Sequence, residues 1–227
     1  MGIQWIIFIG VMAASWLVQQ NLQRKFKKYS GIRNEGGLTG AQIALKMLHD
    51  NGIYDVKVTH VSGQLTDHYN PVTKTVNLSD EVYASNSVMA AAVAAHECGH
   101  AVQHATAYGP LTMRSKLVPV VSFASQWVQW VILAGILLLN SFPQILLAGI
   151  VLFAMTTLFS IITLPVEINA SKRALVWLSS AGMTNSRNHA MAEDALKAAA
   201  YTYVVAAVGS LATLLYYIMI YSGRSRD

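Results

Sequence analysis

The chain has 227 residues, is 54% hydrophobic and only 12% charged, and has a mean hydropathy of +0.40. Soluble globular domains carry about 25% charged residues, so this composition excludes an ordinary soluble enzyme and points to a membrane protein. The net charge of +5 does not mark a nucleic-acid binder, because the basic residues fall in blocks between apolar segments.

The first element in chain order is the apolar segment 3–18. It is short for a span, which needs about 20 apolar residues, but Trp5 and Trp16 stand near its ends as interfacial anchors would. Arg24, Lys25, Lys27 and Lys28 follow it and no basic residue precedes it, the reverse of a secretory signal peptide. An uncleaved anchor is expected. Thr39-Gly40-Ala41-Gln42 then fits a capping box, with Ile43, Ala44, Met47 and Leu48 at helical spacing and Asn51-Gly52 as the stop. Residues 54–59 and 74–78 alternate as half-buried strands, with Asp67-His68-Tyr69-Asn70-Pro71 as a turn region between them. Ser79-Asp80 caps a short helical turn, and an alanine-rich helix begins near Ser87. Three more apolar stretches, 117–139, 142–165 and 198–221, are long enough to span a bilayer.

Ten of the sixteen Lys and Arg lie between the first and second stretches and four between the third and fourth. The connection around Asn140-Ser141 has none. The positive-inside rule places both large loops in the cytosol and both termini outside, with Arg224 and Arg226 in the tail running against it.

The alanine-rich helix carries His96-Glu97-Cys98-Gly99-His100. Helical positions four apart lie about 40° apart around the axis, so both imidazoles leave one face and can grip one metal ion. Glu97 projects beside that face, where an activated water would sit. Two surface histidines on an amphipathic helix would give the same spacing. The flanking Val88–Ala95 run is apolar all round, however, and buried imidazoles and a carboxylate need partners.

A hydrolytic zinc usually takes three protein ligands and leaves one position for water. Glu167 is the expected third ligand, since it directly follows the third apolar stretch and an acid so close to hydrocarbon needs a strong partner. His104 is the competitor. It lies about 12 Å along the helix from His96, too far to share one ion, so a supporting role fits it better. Cys98 lies about 200° around the helix from His96 and reads as a small apolar residue. His68, Tyr69, Tyr108, Arg173 and His189 are candidates to stabilise an oxyanion, while His49 and His60 read as surface residues. Lys74, Thr75, Val76, Asn77 and Leu78 form a candidate edge strand, to which a substrate backbone could add beside the metal.

The motifs His96-Glu97-x-Gly99-His100-Ala101-x-Gln103-His104, Asp67-His68-Tyr69-Asn70-Pro71, Pro165-Val166-Glu167 with Ala170-Ser171, and the run Ala198–Val204 resemble the YugP-type neutral zinc metallopeptidases of bacterial membranes. The likeness covers nearly the whole chain. It implies a multi-pass peptidase of the bacterial cytoplasmic membrane, with one zinc per chain on His96, His100 and Glu167. The family pattern carries an aspartate where this chain has Asn169. If that acid orients a ligand histidine, its loss changes the support behind the site.

The expected fold is a mainly α membrane protein with four transmembrane helices and a small cytosolic α+β zincin-like domain between the first and second. Its parts are an anchor at 1–20, a catalytic domain at 21–116, a transmembrane hairpin at 117–166, a third-ligand helix and cytosolic loop at 167–197, and a fourth helix with tail at 198–227. Its expected activity is peptide hydrolysis at the cytosolic membrane surface, with Glu97 as general base. Membrane proteins or membrane-associated polypeptides are the expected substrates, and no nucleic acid is expected. An intramembrane protease would draw an aspartate ligand from a later span, and spans two to four contain none. A zinc transporter would need a polar route through several helices, and an inactive scaffold would have no need of Glu97. Gly135 and Gly149 mark close helix contacts, within one chain or between chains.

Overall fold

The computed structural model describes residues 2–223, so Arg224 and Arg226 lie outside the described residues. The elements run α1 (Ile3–Ser30), α2 (Gly40–Asp50), β1 (Lys57–Val61), β2 (His68–Asn70), β3 (Thr75–Ser79), α3 (Asp80–Tyr83), α4 (Val88–Ala105), α5 (Gly109–Leu137), α6 (Pro143–Ser180) and α7 (Ser186–Gly223). The protein is mainly helical with one small sheet. Helices α1, α5, α6 and α7 are each long and apolar enough to cross a membrane. The chain divides into two compact units.

The first unit comprises the described residues up to Leu17, Thr112–Leu164, and those from Thr202 on, and is built from helices alone. Its small core joins Ile132 of α5 to Leu146 and Ile150 of α6, with Phe153 and Tyr217 packed against them. Gly135 and Gly149 make the close approach possible within the chain. A Cβ on Gly135 would meet the Leu146 Cα at 2.5 Å, and one on Gly149 would meet the Ile132 Cα at 3.2 Å.

The second unit comprises Val18–Leu111 and Pro165–Tyr201. Its core is organised around α4, which begins at the N-cap Ser87, whose side chain accepts from the Ala90 N–H. Only Val93, His96, His104 and Ala105 of α4 escape full burial. Alanines at 90, 91, 94 and 95 let neighbours close in from several sides. Ile43, Met47 and Leu48 of α2, Val76 and Leu78 of β3, Ala174, Trp177 and Leu178 of α6, and Ala192, Ala195 and Leu196 of α7 share one cluster with them.

Helix α2 has the expected reciprocal cap between Thr39 and Gln42, and ends at Asn51 with Gly52 at φ +71°, where a side chain would be strained. The sheet order is β1-β3-β2, with β1 parallel and β2 antiparallel to β3. In β3, Val76 and Leu78 point into the core while Thr75 and Asn77 stay half-exposed.

Two expectations change here. The segment Asp67–Pro71 is not simply a turn, because His68–Asn70 forms β2 and the turn follows at 71–74. Three residues are too few for alternation to register. The cytosolic loop expected within 167–197 shrinks to a short connection, for α6 continues to Ser180 and α7 starts at Ser186. The polar residues there occupy one side of helices whose other side, with Trp177, Leu178 and Leu196, is core. The basic stretch after the first apolar segment is likewise helical. Phe26 and Tyr29 are buried, and Lys25 and Tyr29 hold Asp194 at 2.6 and 2.7 Å.

Candidate metal centre

Where α4 and α6 meet, Gly99 faces Ala170 with no side chain between. A Cβ at position 99 would lie 2.6 Å from the Ala170 carbonyl oxygen. This contact brings Glu167, nearly one turn before Ala170, up to the imidazoles. Glu167 Oε2 lies 3.2 Å from His96 Nε2 and 3.5 Å from His100 Nε2. One ligand atom from each residue can be chosen so that all three lie within 4.8 Å of one another. The two rings are nearly perpendicular, at 85°, and their centroids are 4.8 Å apart.

These separations fit zinc. Ligands about 2.1 Å from a tetrahedral ion stand about 3.4 Å from each other, close to the two nitrogen–oxygen distances. Burial fits as well, since Glu167 is 2% exposed and His100 8%. A carboxylate so enclosed needs a compensating positive charge. Burial alone would lower the His100 pKa, but the Glu167 contact and the nearby Glu97 charge outweigh it and raise it.

Glu97 leaves the adjacent position of α4 and accepts a hydrogen bond of 3.0 Å from the Tyr69 N–H of β2. Asp67 fixes the start of that strand by accepting from the Ser79 N–H at 2.7 Å and its hydroxyl at 3.0 Å. Burial raises the Asp67 pKa against the pull of those two bonds.

Behind the imidazoles, His96 Nδ1 lies 3.0 Å from the Ser171 hydroxyl and His100 Nδ1 lies 3.0 Å from Gln103 Oε1. Gln103 is fully buried, and its Nε2 donates to the Val166 carbonyl at 2.8 Å and to Asn169 Oδ1 at 3.0 Å. Arg173 Nε also donates to Asn169 Oδ1, at 2.8 Å. Asn169 therefore touches the ligand set through Gln103 and not directly.

The remaining candidates lie around this cluster rather than in it. Exposed His104 pairs its Nδ1 with the Tyr69 hydroxyl at 2.8 Å. His68 is exposed, with Nδ1 against the Thr66 carbonyl at 2.8 Å. Half-buried Tyr108 follows the end of α4, its N–H bonded to the Gln103 carbonyl. His189 lies 3.4 Å from the Thr184 hydroxyl and lines a groove of about 630 Å³ between α6 and α7. Cys98 is fully buried with its sulfur 3.5 Å from the Ala44 carbonyl oxygen.

The edge-strand expectation is overturned. Lys74 sits in the turn at φ +51°, and Thr75, Val76, Asn77 and Leu78 belong to β3, which is paired on both sides. A strand so enclosed has no free edge to offer a substrate. The strand that reaches Glu97 is β2. Gln103, Ser171 and the Tyr69 N–H are additions from the structure. The position of Gln103 three residues after His100, on the same helix face, was the available signal.

His96, His100 and Glu167, with Glu97 beside them, form a group that could hold a metal ion, in a chain with four helices of membrane-spanning length. The chain belongs to the family described as "Putative neutral zinc metallopeptidase", whose profile matches residues 4–222. It is 44% identical over 220 residues, 96% of this chain and 97% of the relative, to the "Putative membrane protease YugP" of Bacillus subtilis (strain 168). No solved structure matches. The family's description implies zinc, and four helices of this chain are long and apolar enough to cross a membrane.

Proposed function

We propose that the protein is a membrane-embedded zinc endopeptidase with its site at the cytosolic membrane surface. The observation that carries this reading is the convergence of His96, His100 and Glu167 from two helices, with Glu97 on the adjoining position. These three residues would hold one zinc per chain, which when bound would supply Lewis acidity that brings the pKa of a water towards ~7. Glu97 accepts the proton of the attacking water and delivers it to the leaving amine. The Tyr69 N–H anchors one carboxylate oxygen, leaving the other for that proton. A substrate backbone would add to the outer edge of β2, beside Glu97, in place of the strand first expected.

The sequence supports the location. Glu167 comes two residues after Pro165, where the third apolar stretch ends, and the Lys and Arg distribution favours cytosolic loops with both termini outside. The zincin-like domain of 21–116 and the third-ligand segment of 167–197 would then share the cytosolic side. Substrates are membrane proteins or membrane-associated polypeptides. An intramembrane site is disfavoured because α4 has 18 residues and is covered by protein, unlike the four membrane-length helices.

Replacing the base tests the reading. Glu97→Gln keeps zinc at the wild-type stoichiometry and slows cleavage of an unfolded test protein by at least about 10²-fold. Cleavage at the normal rate by the zinc-loaded variant would remove Glu97 from that role.

A further inference from the structure

We propose that Gln103 is a positioning residue that fixes the proton of His100 on Nδ1, so that Nε2 is always the metal-ready nitrogen. This rests on the reading of His96, His100 and Glu167 as zinc ligands. The Val166 carbonyl can only accept, so the Gln103 atom 2.8 Å from it is the amide nitrogen. Asn169 Oδ1 agrees, because it takes the same nitrogen at 3.0 Å and the Arg173 Nε–H at 2.8 Å. The other end of the amide is therefore an oxygen, and it faces His100 Nδ1 at 3.0 Å. An amide oxygen accepts only, so Nδ1 carries the hydrogen. That leaves the Nε2 lone pair directed at Glu167 Oε2, 3.5 Å away. Two lone pairs repel unless a cation lies between them.

The same bonds tie the two ligand-bearing helices together. Gln103 is on α4, Val166 and Asn169 flank Glu167 on α6, and the Gly99–Ala170 contact lies about one turn along α4 from Gln103. His96 has no such constraint, since the Ser171 hydroxyl at 3.0 Å can donate or accept. One imidazole is thus committed by a backbone carbonyl two bonds away, and the other is adaptable.

The test uses the full-length protein in detergent, with zinc affinity measured by chelator competition and the ligand field read from cobalt substitution. Wild type must first bind zinc, and failure there defeats the ligand reading rather than this proposal. Gln103→Met preserves volume but offers His100 no acceptor, and its zinc affinity should fall about 10–100-fold with an altered cobalt spectrum. Gln103→Glu keeps an acceptor for Nδ1 but loses the donor to Val166, so its affinity should lie clearly above that of Gln103→Met though below wild type. Affinity within twofold of wild type in Gln103→Met would overturn the proposal. So would equal weakening in both variants, which would make Gln103 a strut only. If either variant fails to fold, Asn169→Ala probes the same link, with roughly 2–10-fold weaker binding expected from one lost hydrogen bond and an unchanged affinity overturning it.

Discussion

Helix α4 and the four membrane-length helices are all strongly apolar, yet they dispose of that surface in opposite ways. Nearly every side chain of α4 is buried by protein. None of the apolar window of α1 is buried within the protein, and at most 22% of those of α5, α6 and α7. Phe123, Trp130 and Val151 stand more than half exposed on α5 and α6. Length separates the two kinds, since 18 residues rise about 27 Å and fall short of a span of about 30 Å. Side-chain size separates them further. The alanines of α4 admit neighbouring helices, whereas large residues on the long helices face outward. A helix buried by protein can hold polar groups in fixed directions, and that is where the histidines are.

The comparison predicts unequal responses to the same insult. Ala94→Asp, which puts an unpaired charge into the core, should cost about 3–5 kcal/mol and abolish folding of the second unit, as read by loss of protease resistance. Val151→Leu, on an exposed face of α6, should stay within about 0.5 kcal/mol. Similar losses in both would mean that the two helices share one environment.

A gentler contrast uses glycine. Gly99→Ala forces α4 from α6 at the Ala170 carbonyl and should cost about 1–3 kcal/mol, with zinc affinity falling at least about tenfold. Gly10→Ala, with nothing within 4 Å, should leave both unchanged. Wild-type zinc affinity in Gly99→Ala would show that the close crossing is not what assembles the ligands.

The smallest effect concerns pH. The His100 pKa is raised in the metal-free protein, so its contribution to stability is full below the unfolded value and fades as pH rises through the folded one. Chelated protein should therefore melt at least about 2 °C lower at alkaline than at mildly acidic pH. Zinc binding must displace that proton, so affinity should instead weaken on acidification. A melting temperature of the chelated protein that rises with pH would contradict the assignment.

Much of this was legible in the sequence because it rests on local rules. The Thr39–Gln42 cap, the Ser87 start of α4 and the one-face spacing of His96 and His100 depend on residues within a turn of each other. Glu167 was reachable from its place at the end of an apolar run. Strand order was not, because alternation tells which face of β3 is buried but not which strands flank it. The full extent of helix in residues 167–197 was hidden because its apolar side is made of scattered alanines with Trp177 and Leu178. Gln103 was visible, but its role depends on the Val166 carbonyl, 63 residues away in the chain.

Metal analysis of purified protein beside the Glu167→Ala variant reaches the central claim most directly. One zinc per chain in wild type, with loss of tight binding in the folded variant, is the predicted result. Full zinc retention without the Glu167 carboxylate, or a wild-type protein that takes up none, would contradict it.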